Sequence, residues 1–187
     1  MENRVIFNNR RLSRRRFLGG ASAAVAATLI SPRLSAKTGS QARSLAFYHT
    51  HTGESLDIVY HDGSNIIGDA LAAINRYLRD FRSDEVHPID AGLLHQLHSI
   101  RNLTGNHGTF EVISAYRSPD TNAMLGSKSN GVARRSLHME GKAIDVRLTG
   151  VDTPRLRDAA LALQAGGVGY YHRSDFVHVD TGHVRTW

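Results

Sequence analysis

The chain has no cysteine. Disulfides, thiolate metal ligands and a cysteine nucleophile are therefore excluded, and any bound metal has to sit on His, Asp or Glu. No apolar run reaches the ~20 residues that a membrane span needs. Acidic residues are missing from one end: residues 1–36 hold seven of the 23 Lys and Arg but only one of the 17 acids, Glu2. The remainder, 37–187, carries 16 bases and 16 acids and is formally neutral. The net charge of +6 thus belongs to the N-terminus. A basic domain that binds nucleic acid is not what this distribution describes. There is no internal repeat, and no low-complexity tract beyond the N-terminal segment.

That segment reads RRLSRRRFLGGASAAVAATLISPRLSAKT. Arg10 to Arg16 form a positive region, Phe17 to Ile30 an Ala- and Gly-rich apolar run, and Ala36 is a candidate cleavage position. This is the anatomy of an export signal. Ser13-Arg14-Arg15-Arg16-Phe17-Leu18 resembles the twin-arginine motif of bacterial Tat signals. That resemblance implies folding before export to the periplasm, with membrane contact only through a signal that stays uncleaved. Residues 1–36 are read as the signal, 37–43 as a polar linker and 44–187 as the working domain.

Within 44–187 the hydrophobic period changes along the chain. Ser44–His49 and Ser55–Tyr60 read as strands around a Thr52-Gly53-Glu54 hairpin turn. Ile67, Leu71, Ile74 and Leu78 have helical spacing, as do Leu93, Leu94, Leu97, Ile100 and Leu103 on one face behind an Asp90 cap. Phe110–Ser114, Ala143–Leu148, Val168–Tyr171 and Phe176–Asp180 read as strands. Pro119 suits the first turn of a short helix, and Thr153-Pro154 opens another that Gly166-Gly167 ends. The class is α+β, with helices on one face of a small antiparallel sheet. Of the 11 His residues, His49, His51 and His61 flank strands, and His95 and His98 lie on a helix without a third ligand nearby. They read as structural or surface residues.

The stretch SLHMEGKAID places His138 and Asp145 on either side of Gly141. Strand alternation puts Phe176, His178 and Asp180 on one face, so neighbouring strands can set Asp145 beside His178. A buried carboxylate needs a partner. Two imidazoles and one carboxylate suit an open zinc site whose fourth position holds water, and zinc lowers the pKa of that water to ~7. The alternative is a His–Asp hydrogen bond inside a core.

Ser114-Ala-Tyr-Arg-Ser-Pro119, Ser136-x-His138-x6-Asp145, Gly167-Val-Gly-Tyr-Tyr171 and Phe176-Val-His-Val-Asp-Thr-Gly182 with Arg185-x-Trp187 together resemble the murein endopeptidase K family. These are relatives of the D-alanyl-D-alanine metallopeptidases, in the fold group of lysostaphin and hedgehog. The resemblance spans 44–187. It implies one zinc on His138, Asp145 and His178, and hydrolysis of amide bonds in peptidoglycan peptide cross-links. Arg117 matches the arginine that related peptidases set near the substrate carbonyl or carboxylate. Asp175, three residues before His178, occupies the place of the general base, with a shorter side chain than the Glu of those relatives. Asp180 is the alternative, as base or as a residue orienting a zinc ligand. A non-catalytic zinc- or cell-wall-binding module of the same fold is the rival reading.

Exchanging Arg14 and Arg15 together for Lys is expected to hold the precursor in the cytoplasm. Cell fractionation reads the outcome, and unchanged delivery would argue against the Tat route.

Overall fold

The computed structural model describes residues 41–129 and 131–187. The expected signal at 1–36, and the linker up to residue 40, lie outside these residues. β1 (Arg43–His49) and β2 (Ser55–His61) form a hairpin, followed by α1 (Gly68–Tyr77) and α2 (Ala91–Leu103). Then come β3 (Phe110–Ser114), α3 (Pro119–Lys128), a 3-10 turn (Leu137–Glu140) and β4 (Ala143–Leu148). α4 (Thr153–Leu163), β5 (Gly167–Tyr171), β6 (Phe176–Asp180) and β7 (Arg185–Thr186) complete the order.

The strands make one seven-stranded sheet in the order β2-β1-β3-β4-β6-β5-β7. The α+β class holds. The sheet is mixed rather than wholly antiparallel, because β1–β3 and β5–β7 pair in parallel. A parallel pair requires a crossover connection, and the β2-α1-α2 excursion supplies it for β1 and β3.

Alternation divides the sheet chemically. Ile144, Val146 and Leu148 of β4, Val177 and Val179 of β6, and Phe110 and Val112 of β3 are all buried in the core. α2 and α4 pack there through Leu93, Leu94, Leu97, Ile100, Leu156 and Ala160. Each fully buried Leu, Ile or Val contributes roughly 1.5–3 kcal/mol. The Asp90 carboxylate accepts from Gly92 N at 2.8 Å and starts α2, and Asp152 accepts from Arg155 N at 2.9 Å and starts α4. The alternate positions of β4 and β6 carry Asp145, Arg147, His178 and Asp180.

One corner fixes where Arg117 emerges. Tyr116 N donates to Leu78 O at 3.1 Å, and Ser118 N donates to Asp80 Oδ2 at 2.9 Å. Asp80 is 1% exposed and also accepts from Arg82 N at 3.0 Å and from the Thr121 hydroxyl. Burial pushes the Asp80 carboxyl up, but these donors win and hold it at about 2. Its folded value lies below the unfolded one of ~3.9. The stabilisation is therefore complete above that value and is lost as pH falls through about 2. Asp80→Asn should cost ~1–3 kcal/mol at neutral pH. The gap from wild type should close as the pH of urea unfolding is lowered from 4 toward 2, and a pH-independent gap would contradict this account.

Candidate metal centre

His138 sits in the 3-10 turn, where the N-cap Ser136 Oγ accepts from His138 N at 3.4 Å. The turn ends at Gly141, which has φ +64°. A Cβ at this position would also collide with the Pro88 carbonyl, so glycine is needed for both reasons. The turn is locked to the β3–α3 corner at two points. His138 Nδ1 donates to Ala115 O at 2.6 Å, and Arg117 N donates to His138 O at 3.2 Å. Asp145 lies in the middle of β4 and His178 in the middle of β6, directly opposite each other in the ladder.

These three side chains converge. His138 Nε2 lies 3.3 Å from His178 Nδ1 and 3.4 Å from Asp145 Oδ1. His178 Nδ1 lies 2.9 Å from the same oxygen. Ligand distances of 2.0–2.1 Å in a tetrahedron give edges of about 3.3–3.4 Å. Two edges of this triangle match, and the third is shorter by a few tenths. Among the described residues, His138, Asp145 and His178 are the group of His, Asp and Glu that could hold a metal ion.

The outer nitrogens settle the tautomers. Ala115 O can only accept, so His138 carries its proton on Nδ1 and presents the Nε2 lone pair inward. His178 Nε2 lies 3.0 Å from Asp180 Oδ2, a carboxylate that takes its proton in the same way and leaves Nδ1 free. Two imidazole lone pairs and a carboxylate oxygen thus point at one spot. All three residues are at least 90% buried. Burial pushes the Asp145 carboxyl up, yet His138 and His178 outweigh it and hold it well below the usual carboxylate range. Burial disfavours a charged His178, but Asp145 and Asp180 raise it overall.

The centre opens into a cleft of about 220 Å³. Arg117 lines it, half-buried, with Nη1 donating to Asn122 Oδ1 at 3.2 Å. Its buried Nε has no partner among the described residues. Asp180 is fully buried behind His178. Asp175 is not brought to the cluster. It adopts φ +52° at the entry to β6. Its carboxylate accepts from Thr153 Oγ1 at 2.7 Å and lies 3.5 Å from Arg147 Nε, in a separate depression. Asp175, expected as the base, thus lies apart from His138, Asp145 and His178 in this structure. Arg135, Tyr171, Phe176, Arg185 and Trp187 also line the cleft. Sequence reasoning assigned them no role; Arg185-x-Trp187 close behind the His178 strand was the available signal.

The sequence model of the Peptidase_M15_2 family, described as peptidoglycan L,D-endopeptidase MepK, matches residues 37–187. The peptidoglycan L,D-endopeptidase MepK of Escherichia coli K12 is 42% identical over 176 residues, covering 94% of this chain and 97% of that protein. The Shigella flexneri protein of the same name has the same identity and coverage. The probable MepK of Haemophilus influenzae is 42% identical over 146 residues, 78% of either chain. No solved structure matches this chain. The match across the whole described domain, with the His138–Asp145–His178 cluster inside it, shows that the chain belongs to the peptidoglycan L,D-endopeptidase MepK family.

Proposed function

We propose that this chain is an exported zinc peptidase that hydrolyses L,D amide bonds in the peptide cross-links of peptidoglycan. The observation that carries the reading is the convergence of three buried lone-pair acceptors, spaced like the edges of a tetrahedral face, with an open cleft on the remaining side. Zinc suits two imidazoles and one carboxylate better than calcium or magnesium, which prefer all-oxygen sites. When bound, it supplies a Lewis acid for the scissile carbonyl and activates water at neutral pH.

The chain's own residues supply orientation and charge. His138 is held by Ala115 O, and His178 by Asp180, so neither ring can turn its lone pair away. Arg117 lines the cleft, and its guanidinium is suited to donate to a developing oxyanion or a peptide carboxylate. Asp180 is the orienting residue rather than the base, since both its oxygens are already filled by donors. Export through the N-terminal signal would bring this chemistry to the periplasm, where the substrate lies.

The purified chain is expected to hold one zinc, and chelation should stop cleavage of L,D cross-linked muropeptides. Full zinc occupancy surviving His138→Ala and His178→Ala together, by metal analysis, would overturn the site. A zinc-loaded chain that cuts no muropeptide would favour the non-catalytic binding module.

Asp175→Asn separates the two sequence expectations. Loss of a general base lowers turnover by ~10²–10⁴-fold. The contacts of Asp175 with Thr153 and Arg147 instead lead us to expect turnover within about threefold of wild type and a stability loss of ~1 kcal/mol. Muropeptide kinetics and urea unfolding on the same sample distinguish these outcomes.

A further inference from the structure

The Asp180 carboxylate is 0% exposed and collects five donors. Oδ2 accepts from His178 Nε2 at 3.0 Å and Arg185 Nη2 at 2.7 Å. Oδ1 accepts from Gly167 N at 3.0 Å, Gly182 N at 2.8 Å and Arg185 Nη1 at 3.1 Å. Only one of the donating groups carries a permanent charge, the Arg185 guanidinium. Its two-pronged contact fixes the plane of the carboxylate as well as its charge. The carboxylate plane in turn fixes the direction from which His178 Nε2–H is received.

Arg185 stands on β7, which runs parallel to β5 with Gly167 opposite Arg185. Just beyond it, Trp187 N donates to Val168 O at 3.4 Å, and Tyr170 N donates to Trp187 O at 3.0 Å. The Trp187 ring lies 5.2 Å from the His178 ring and 4.9 Å from the Arg185 guanidinium carbon. Its Nε1 donates to the Tyr171 hydroxyl at 3.0 Å. The Gly167-Val-Gly169 motif is shaped to this strap. A Cβ on Gly167 would fall 2.5 Å from both Arg185 Nη1 and Asp180 Oδ2, and one on Gly169 would fall 2.6 Å from the indole.

We propose that Arg185 is a positioning residue of the metal centre. Through Asp180 it sets the tautomer and ring plane of His178, while Trp187 braces the same imidazole, and the two glycines clear the space in which both sit. This rests on the zinc reading of the His138–Asp145–His178 cluster. It adds residues 185–187 to the machinery that makes the cluster a metal site. Arg185 touches neither the convergent atoms nor their lone pairs, so its effect travels through one hydrogen-bonded carboxylate.

The test uses the full chain with zinc alone as probe, titrated against a chromophoric chelator. Arg185→Gln is expected to weaken zinc binding ~10–100-fold, the range for loss of a residue that supports a ligand. Arg185→Lys, which keeps the charge but loses the fork, should fall between Gln and wild type. Asp180→Asn combined with Arg185→Gln should lose little more than Asp180→Asn alone, because both act on one path. The visible spectrum of the cobalt(II)-substituted protein should shift in Arg185→Gln, a change that a purely structural role would not produce. Wild-type zinc affinity and an unchanged cobalt spectrum in a folded Arg185→Gln protein would overturn the proposal. So would full additivity with Asp180→Asn. Should Arg185→Gln not fold, Arg185→Lys gives the decision: wild-type affinity and spectrum overturn the proposal, and a graded loss with a shifted spectrum supports it. Failure of the zinc reading itself is distinct, since then wild type binds no zinc in the same titration.

Discussion

Three buried acceptor atoms cannot share a small space unless something positive lies among them. His138 Nε2, His178 Nδ1 and Asp145 Oδ1 stand within 3.4 Å of one another, and the outer nitrogens of both rings have their protons committed elsewhere. An uncompensated buried charge costs several kcal/mol. A divalent cation would satisfy all three atoms at once. Much of the domain can be understood as the scaffold that prevents these groups from escaping into a less strained arrangement.

That scaffold is a ladder with fixed register. A slip of one residue between β4 and β6 would turn Asp145 or His178 into the hydrophobic core and bring Ile144 or Val179 out. The core thus helps specify the site, because burying Ile144, Val146, Val177 and Val179 keeps Asp145 and His178 together on the opposite face. The third residue arrives from outside the sheet. His138 needs its own tether, which the 3-10 turn, Gly141 and the Ala115 carbonyl provide. Asp80 secures the other end of that tether by holding the corner from which Ala115 and Arg117 project.

What was legible in the sequence follows the same division. Period-two alternation pointed to Asp145 beside His178, and the family resemblance added His138 to make one set of three. The helices over 68–77, 91–103 and 153–163 were legible from apolar spacing and their caps. Asp175 was not, because placing it relative to His178 requires extended geometry, and its φ of +52° turns the chain before the strand begins. The five donors on Asp180 come from Gly167, His178, Gly182 and Arg185, and the first of these is brought close only by the β5–β6 fold-back. The two-residue β7 is too short to carry a periodic signal, and its parallel pairing with β5 depends on a turn that no local pattern announces. Motif resemblance flagged Arg185 and Trp187 without saying what they touch.

Charge offers the last link between site and substrate. Residues 37–187 are formally neutral, so net charge gives the domain no overall attraction for a polyanion. Within the cleft the balance is different. Arg185 is neutralised by Asp180, and Asp145 belongs to the centre, which leaves Arg117 and Arg135 without a carboxylate partner among the described residues. Two arginines without a carboxylate partner, one of them bonded to Asn122, line the cleft beside the rings of Tyr171, Phe176 and Trp187 and suit carboxylates and aliphatic groups. Recognition of this kind is local, set by fork geometry at contact distance rather than by net charge. It can therefore coexist with a neutral surface elsewhere on the domain.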